Sequence, residues 1–238
     1  MEDVQDILHR ARAYPYDYPR HSFLFQNGEV LPFEPTQTDG RTPVLAFGSN
    51  QSPAQLTRKF GRVNHPIPVE RVRLHDFDVV YSAHITSYGA VPAMMQHCPG
   101  TYVDVAISWL DDDQLDVMHQ TELYAANYVF AALDDVTLHH RDTMRVQTVF
   151  AYVGERGHLV HDDGAVSLLA IQAENRRWTA RSTGEVLELV RRRVAPDRTT
   201  DQFILDLVAD KDYRRSVTQA ISQDETRFTY PYRIVERF

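Results

Sequence analysis

Glu122 stands where its neighbours predict an apolar side chain. In the stretch DDDQLDVMHQTELYAANY, Leu115, Met118 and Glu122 occupy positions i, i+3 and i+7 and share one helix face, with His119 beside them. That face is expected to pack on the preceding strand, and carboxylates are almost never fully buried without a partner. Three ordinary accounts are open: the side chain reaches solvent at the helix end, it pairs with an arginine, or the helix stops a turn earlier. The chemical account is a general base whose pKa burial raises toward neutrality.

A second stretch, VLAFGSNQSP, runs four apolar residues into Gly48-Ser49-Asn50 and then Ser52-Pro53. Ser52 suits a helix N-cap and Pro53 the first helical position. The corner between is either an ordinary strand-to-helix turn or a concavity of backbone N–H groups that takes an anion. Without a P-loop lysine, a carboxylate suits it better than a phosphate.

The bulk properties bound the rest. The chain has 238 residues, 43% hydrophobic and 24% charged, with a net charge of −8. Those are ordinary globular values, and the acidic balance argues against nucleic acid as a partner. The single cysteine, Cys98, precludes a disulfide framework within the chain and a CxxC motif. The acidic start MEDVQDILHR lacks a signal peptide's basic region and apolar core, and no apolar run approaches a membrane span. A cytoplasmic protein with no membrane partner is the expectation.

Elements follow from periodicity. A short helix is expected over 3–13, stopped by YPYDYP, and Asn27-Gly28 predicts a hairpin. After a turn-rich connector come the VLAF strand and a helix over SPAQLTRKFG. LHDFDVVYSAHI reads as a strand, GAVPAMMQHCPG as a second strand broken by proline, and TYVDVAISWL as a third that alternates cleanly. Past the Glu122 helix, YVFAALDDVTLHH and RVQTVFAYVG supply two more strands. After residue 163, AVSLLAIQAENRRW, TGEVLELVRRRV and TTDQFILDLVADKDYRRSVTQAI all read as helix, and TRFTYPYRIVERF as extended. No linker forces a second domain, so residues 1–238 are expected to form one.

Taken in order, these motifs resemble the gamma-glutamyl cyclotransferase-like family. The family's strand ending in Y-G-S-N is matched by Phe47-Gly48-Ser49-Asn50. Its G-x-x-A segment, P-G turn and valine-rich strand are matched by GAVPAMM, Pro99-Gly100 and TYVDVAISW. Its helix ending in L-D-x-x-E-G, followed by a tyrosine and a strand, is matched by VMHQTE, Tyr128 and VFAAL. The resemblance covers residues 42–153, leaving an N-terminal helix and hairpin (1–41) and a helical C-terminal elaboration (164–238) outside it.

The resemblance implies an α+β fold, a small mixed β-barrel flanked by helices. It also implies a cyclisation in which the α-amine of a γ-glutamyl group attacks its own γ-carbonyl and releases 5-oxoproline and an amine or amino acid. No cofactor and no metal are implied. Glu122 would be the catalytic acid–base. Phe47, Gly48, Ser49 and Asn50 would bind substrate, and Tyr128 would place a hydroxyl near the base. The sequence departs from the family pattern at four places. Phe47 replaces a tyrosine, His119 an aspartate and Leu123 a glycine, and Val105 stands where the strand after the P-G turn usually has glycine. These departures keep open a non-catalytic protein binding a small carboxylate or γ-glutamyl ligand in the same pocket.

Other candidates weigh less. His139-His140 and His158, His161, Asp162 and Asp163 are metal-ligand types, but adjacent strand histidines face opposite ways and Asp162-Asp163-Gly164 reads as a turn. Cys98 reads as a packed thiol. YPYDYPRHSFLF either walls a cleft or covers the barrel. The C-terminal helices either cap the barrel or form a homodimer interface.

Overall fold

The computed structural model describes residues 3–61, 65–123, 127–140, 143–162, 164–222 and 226–237. Helix α1 (Val4–Arg12) buries Leu8 and Ala11. The hairpin β1 (Phe23–Gln26) and β2 (Glu29–Pro32) turns at Asn27 and Gly28, both at positive φ, as a two-residue turn matched to strand twist requires. Strand β3 (Thr42–Ala46) leads through a single turn into α2 (Pro53–Phe60), where Pro53 opens the helix and Gly61 caps it. Two long strands follow, β4 (Ile67–Tyr81) and β5 (Ala93–Leu110). Helix α3 (Asp112–Glu122) starts at a capping box between Asp111 and Gln114. Strands β6 (Tyr128–His140) and β7 (Thr143–Gly154) form a hairpin.

Five of these strands close on themselves. β5 lies between β3 and β4, β3 beside β7, β7 beside β6, and β6 beside β4. The β3–β7 pairing is parallel and the others antiparallel, so the fold is α+β with a mixed five-stranded barrel. Alternation along the strands divides the core. Leu45, Leu74, Val105, Val129 and Ala151, one from each strand, belong to a cluster filling the barrel. Val44, Ala46, Ala106 and Phe130 face outward and meet Leu56 of α2 and Met118 of α3.

Three sequence expectations fail here. GAVPAMMQHCPG and TYVDVAISWL are not two strands, because β5 runs through Pro99-Gly100 without ending. Gly100 takes φ +82°, Asp76 on β4 takes φ +63° at a register shift, and the Asp76 carboxylate accepts the Gly100 N–H at 2.7 Å. A β-bulge thus absorbs the turn signal.

AVSLLAIQAENRRW is not a helix. It forms short strands β9 (Gly164–Ala165), β10 (Ser167–Leu168) and β11 (Ala173–Glu174), preceded by β8 (Val160–His161) and followed by β12 (Ala180–Arg181). Ala165, Val166, Leu168 and Ile171 are all buried, a short apolar run whose helix and strand readings periodicity does not separate. Arg176 staples the segment down: its guanidinium donates to Asp78 on β4 at 3.1 Å and to the carbonyls of Leu168 and Ile171.

Finally, the last expected helix is two. After α4 (Thr183–Val194), α5 (Thr200–Ala209) ends at Asp210, whose carboxylate accepts N–H groups of Asp212 and Tyr213 and so starts α6 (Lys211–Ile221). The tail is extended as expected, with β13 (Arg233–Glu236) pairing on β6. Among the described residues no helix is long and apolar enough to cross a membrane.

Candidate active site

A cavity of about 1120 Å³ opens where β3 hands over to α2. Its wall includes each residue for which the resemblance implies a catalytic or substrate-binding role: Phe47, Gly48, Ser49, Asn50, Glu122 and Tyr128. Gly48 leaves the strand and Ser49–Gln51 make one tight turn before Ser52, with Gln51 N–H donating to Gly48 O and Ser52 N–H to Ser49 O. Glu122 is the last residue of α3. Met118 one turn earlier is buried against α2, so the same face carries Glu122 into the cavity.

Glu122 is held from two sides. Asn50 Nδ2 donates to Glu122 Oε1 at 3.0 Å, and Lys59 Nζ forms an ion pair with the same oxygen. Both ions are largely withdrawn from water, with 7% of the Lys59 side chain and 17% of the Glu122 side chain exposed. This corrects the expected electrostatics. Burial alone pushes the Glu122 carboxyl up, but the Lys59 charge and the hydrogen bonds from Lys59 and Asn50 outweigh it, and the pKa falls below the ordinary value. Glu122 is therefore a carboxylate at neutral pH. Its partner is a lysine, not an arginine.

Tyr14, Tyr128 and His84 belong to the same wall. The Tyr14 hydroxyl, from the YPYDYP stretch, accepts the Ala93 N–H at 2.9 Å and lies against Gly48. Burial raises its pKa, and the Glu122 charge adds to the rise, so it remains a neutral hydroxyl. Tyr128 is raised for the same two reasons. His84 Nδ1 is 2.9 Å from Ser82 Oγ, and the His84 ring meets the edge of Tyr128 at 5.6 Å. Burial lowers His84 to about 4, leaving it uncharged at neutral pH.

His119 has another task. It shares the helix face but is buried against Phe130, with Nδ1 2.9 Å from the Tyr152 hydroxyl. Cys98 is a buried free thiol accepting from Thr101. Among the described residues no group of three His, Cys, Asp or Glu could hold a metal. Asp163 and the His140 side chain lie outside the described residues.

Lys59, Tyr14 and His84 are among the residues that sequence reasoning did not place at the site. Lys59 carried a usable signal: it stands three residues after buried Leu56, as Glu122 stands four after buried Met118. Opposite charges in matching positions on two adjacent helices are a pair to look for. Tyr14 belongs to the YPYDYPRHSFLF stretch, for which walling a cleft is one of two readings, and His84 carried no signal, since only the tertiary fold brings it to the corner.

Gly48 has to be glycine for a steric reason. A Cβ there would collide with the Tyr14 hydroxyl and approach Ala93 Cβ to 3.3 Å. Tyr14 is 6% exposed and hydrogen-bonded, so it does not give way cheaply. Gly48→Ala is expected to destabilise the protein by about 1–3 kcal/mol, read by denaturant unfolding. Adding Tyr14→Phe removes the colliding oxygen and should recover part of the loss; no loss in the single variant would contradict this packing.

No family model and no curated protein matches the sequence. Among solved structures, the chain is similar to one described as gamma-glutamyl cyclotransferase, at 13% identity and a TM-score of 0.37, covering 89% of this chain and 94% of that one. It is likewise similar to a crystal structure of an uncharacterized protein from Homo sapiens, at 14% identity, a TM-score of 0.37 and the same coverage. These likenesses are low and concern the fold alone.

Proposed function

We propose that this protein is a γ-glutamyl cyclotransferase-like enzyme with Glu122 as its general acid–base. The observation that supports it most is the meeting of Glu122 with Asn50, 72 residues apart, at the glycine corner of one cavity. Nucleophile and electrophile belong to one substrate, so the protein's work is to orient them, move a proton and stabilise an oxyanion. The α-amine nitrogen bonds to the γ-carbonyl carbon, and Glu122 takes the proton it sheds. The bond from that carbon to the leaving nitrogen breaks, and Glu122 returns the proton to it. The backbone N–H groups of Gly48, Ser49 and Asn50 serve the substrate carboxylate or the oxyanion.

Asn50 Oδ1 adds support, being buried with no hydrogen-bond partner among the described residues. Such groups are rare and call for a donor, which a γ-glutamyl ammonium beside Glu122 would provide. The Tyr14 hydroxyl beside Gly48 offsets the hydroxyl lost at Phe47.

One observation favours a second reading, a non-catalytic protein binding a γ-glutamyl ligand or small carboxylate. The Lys59 pair lowers the basicity of Glu122, which suits a static charge pair better than a proton carrier. A panel of γ-glutamyl amines, γ-glutamyl amino acids and glutathione decides between them. The enzyme is expected to release 5-oxoproline from at least one member. Binding of the panel by calorimetry with no release from any member would establish the second reading.

A further inference from the structure

The cavity and the chain have opposite charge. The chain as a whole carries −8, yet among the described residues Glu122 is the only carboxylate on the cavity wall, and Lys59 already neutralises it. Six further cations line the same space. Arg10 comes from α1, Arg58 from α2, Arg156 from the loop after β7, and Lys211, Arg214 and Arg215 from α6. All but Arg58 lie outside residues 42–153, the span of the resemblance to the cyclotransferase pattern.

Several of these groups are held in place. Arg10 lies over the Tyr88 ring at 5.0 Å and Arg58 over the Tyr16 ring at 5.1 Å. Arg156 Nε donates to Asn127 Oδ1 at 3.2 Å, and Arg214 donates to the Leu207 and Val208 carbonyls at the end of α5. On α6 itself, Asp212 meets Arg215 at 3.4 Å with both side chains mostly exposed, a pairing of little strength. A concave wall of one sign focuses field and concentrates ligands of the other. Arginine forks suit carboxylate and phosphate groups in particular.

A γ-glutamyl group has one carboxylate, too few to answer this many cations. We infer that the leaving portion of the substrate carries at least two anionic groups, carboxylate or phosphate, and that α6 supplies cations that hold it. The inference rests on the cyclotransferase reading above and names its substrate class. An acidic γ-glutamyl dipeptide such as γ-glutamyl-glutamate has the required chemistry. The reaction is unchanged: the leaving amine departs with its proton and its own anionic groups.

The test compares kcat/KM for 5-oxoproline release from γ-glutamyl-glutamate, γ-glutamyl-phosphoserine and γ-glutamyl-alanine. At least one acidic substrate is expected to exceed γ-glutamyl-alanine by about tenfold or more at low salt. The better of the two identifies carboxylate or phosphate as the preferred group. In the doubly charge-reversed Lys211→Glu/Arg215→Glu, both sites being exposed, the acidic-to-alanine ratio should collapse toward one. A wild-type ratio near one, or a ratio the double variant leaves intact, overturns the inference while the cyclotransferase reading stands. Should no substrate release 5-oxoproline, calorimetry on the same peptides still reads the anion site. Tighter binding of an acidic peptide by about tenfold would support the site without the reaction, and equal affinities would overturn it.

Discussion

Glu122→Gln is expected to reduce 5-oxoproline release by a factor of about 10²–10⁴, the usual worth of a positioned acid–base group. Glutamine keeps the shape and can still meet Asn50, but it accepts no proton from the attacking amine. The substitution has a second consequence. It leaves the Lys59 ammonium without its counter-charge in a site where 7% of that side chain is exposed. Breaking one side of such a pair costs more than removing both. The single variant should therefore lose stability as well as turnover. Lys59→Met/Glu122→Gln, which removes both charges, should recover stability and stay inactive. Turnover within a few-fold of wild type in either variant would remove Glu122 from the mechanism.

The largest stability effect is expected far from the cavity, at Arg176. Asp78 is fully buried on β4, and its carboxylate accepts from Arg176 Nε at 3.1 Å, Ser167 Oγ at 2.6 Å and the Val79 N–H at 2.8 Å. Burial raises the Asp78 pKa despite these partners, with the Arg176 charge the largest opposing influence. Arg176→Met deletes that influence and the two carbonyl contacts that pin residues 164–181. A loss of about 3–5 kcal/mol is expected in denaturant unfolding near neutral pH.

The sign of the pH dependence follows from linkage. A carboxyl whose folded pKa lies above its unfolded one costs stability as pH rises between the two. Removing Arg176 raises the folded value further and widens that window. The deficit of the variant should thus shrink as pH falls toward the ordinary aspartate range, where the folded Asp78 carboxyl is mostly protonated with or without Arg176. A loss below 1 kcal/mol, or one that grows in acid, would contradict the arrangement.

The sequence made the barrel legible where the patterns were unambiguous. Alternation over TYVDVAISWL, the Asn27-Gly28 hairpin and the Pro53 and Gly61 helix boundaries all correspond to observed elements. It misled where one local signal serves two structures. Pro99-Gly100 reads as a turn but is a bulge inside β5, because Asp76 on the neighbouring strand compensates it. The buried run from Ala165 to Ile171 reads as helix, but long-range pairing to β4 and the Arg176 staple make it strand. Such contacts depend on residues far apart in the chain, and periodicity within a window holds no record of them.

The site divides in the same way. Glu122 and the Gly48-Ser49-Asn50 corner were visible because each violates a local expectation: a charge on an apolar face, and small polar residues at the end of a buried strand. The environment that sets their chemistry was not. Tyr14 reaches Gly48 from a proline-bracketed segment, and α6 brings its cations from the far end of the chain. The direction of the Glu122 shift is not legible from its own helix, because burial raises the carboxyl and the opposing charge, Lys59, stands 63 residues away on α2.

The most direct test of Glu122 as the base is therefore the pH dependence of kcat/KM for 5-oxoproline release in wild type and Lys59→Met. A base must be ionised in the free enzyme, so activity falls as pH drops through its pKa. In wild type Lys59 holds that pKa down, and activity should persist through the ordinary glutamate range. Without Lys59, burial is the largest remaining influence, so the acid limb should move to higher pH. An acid limb at the same pH in both proteins would show that Glu122 does not carry the proton.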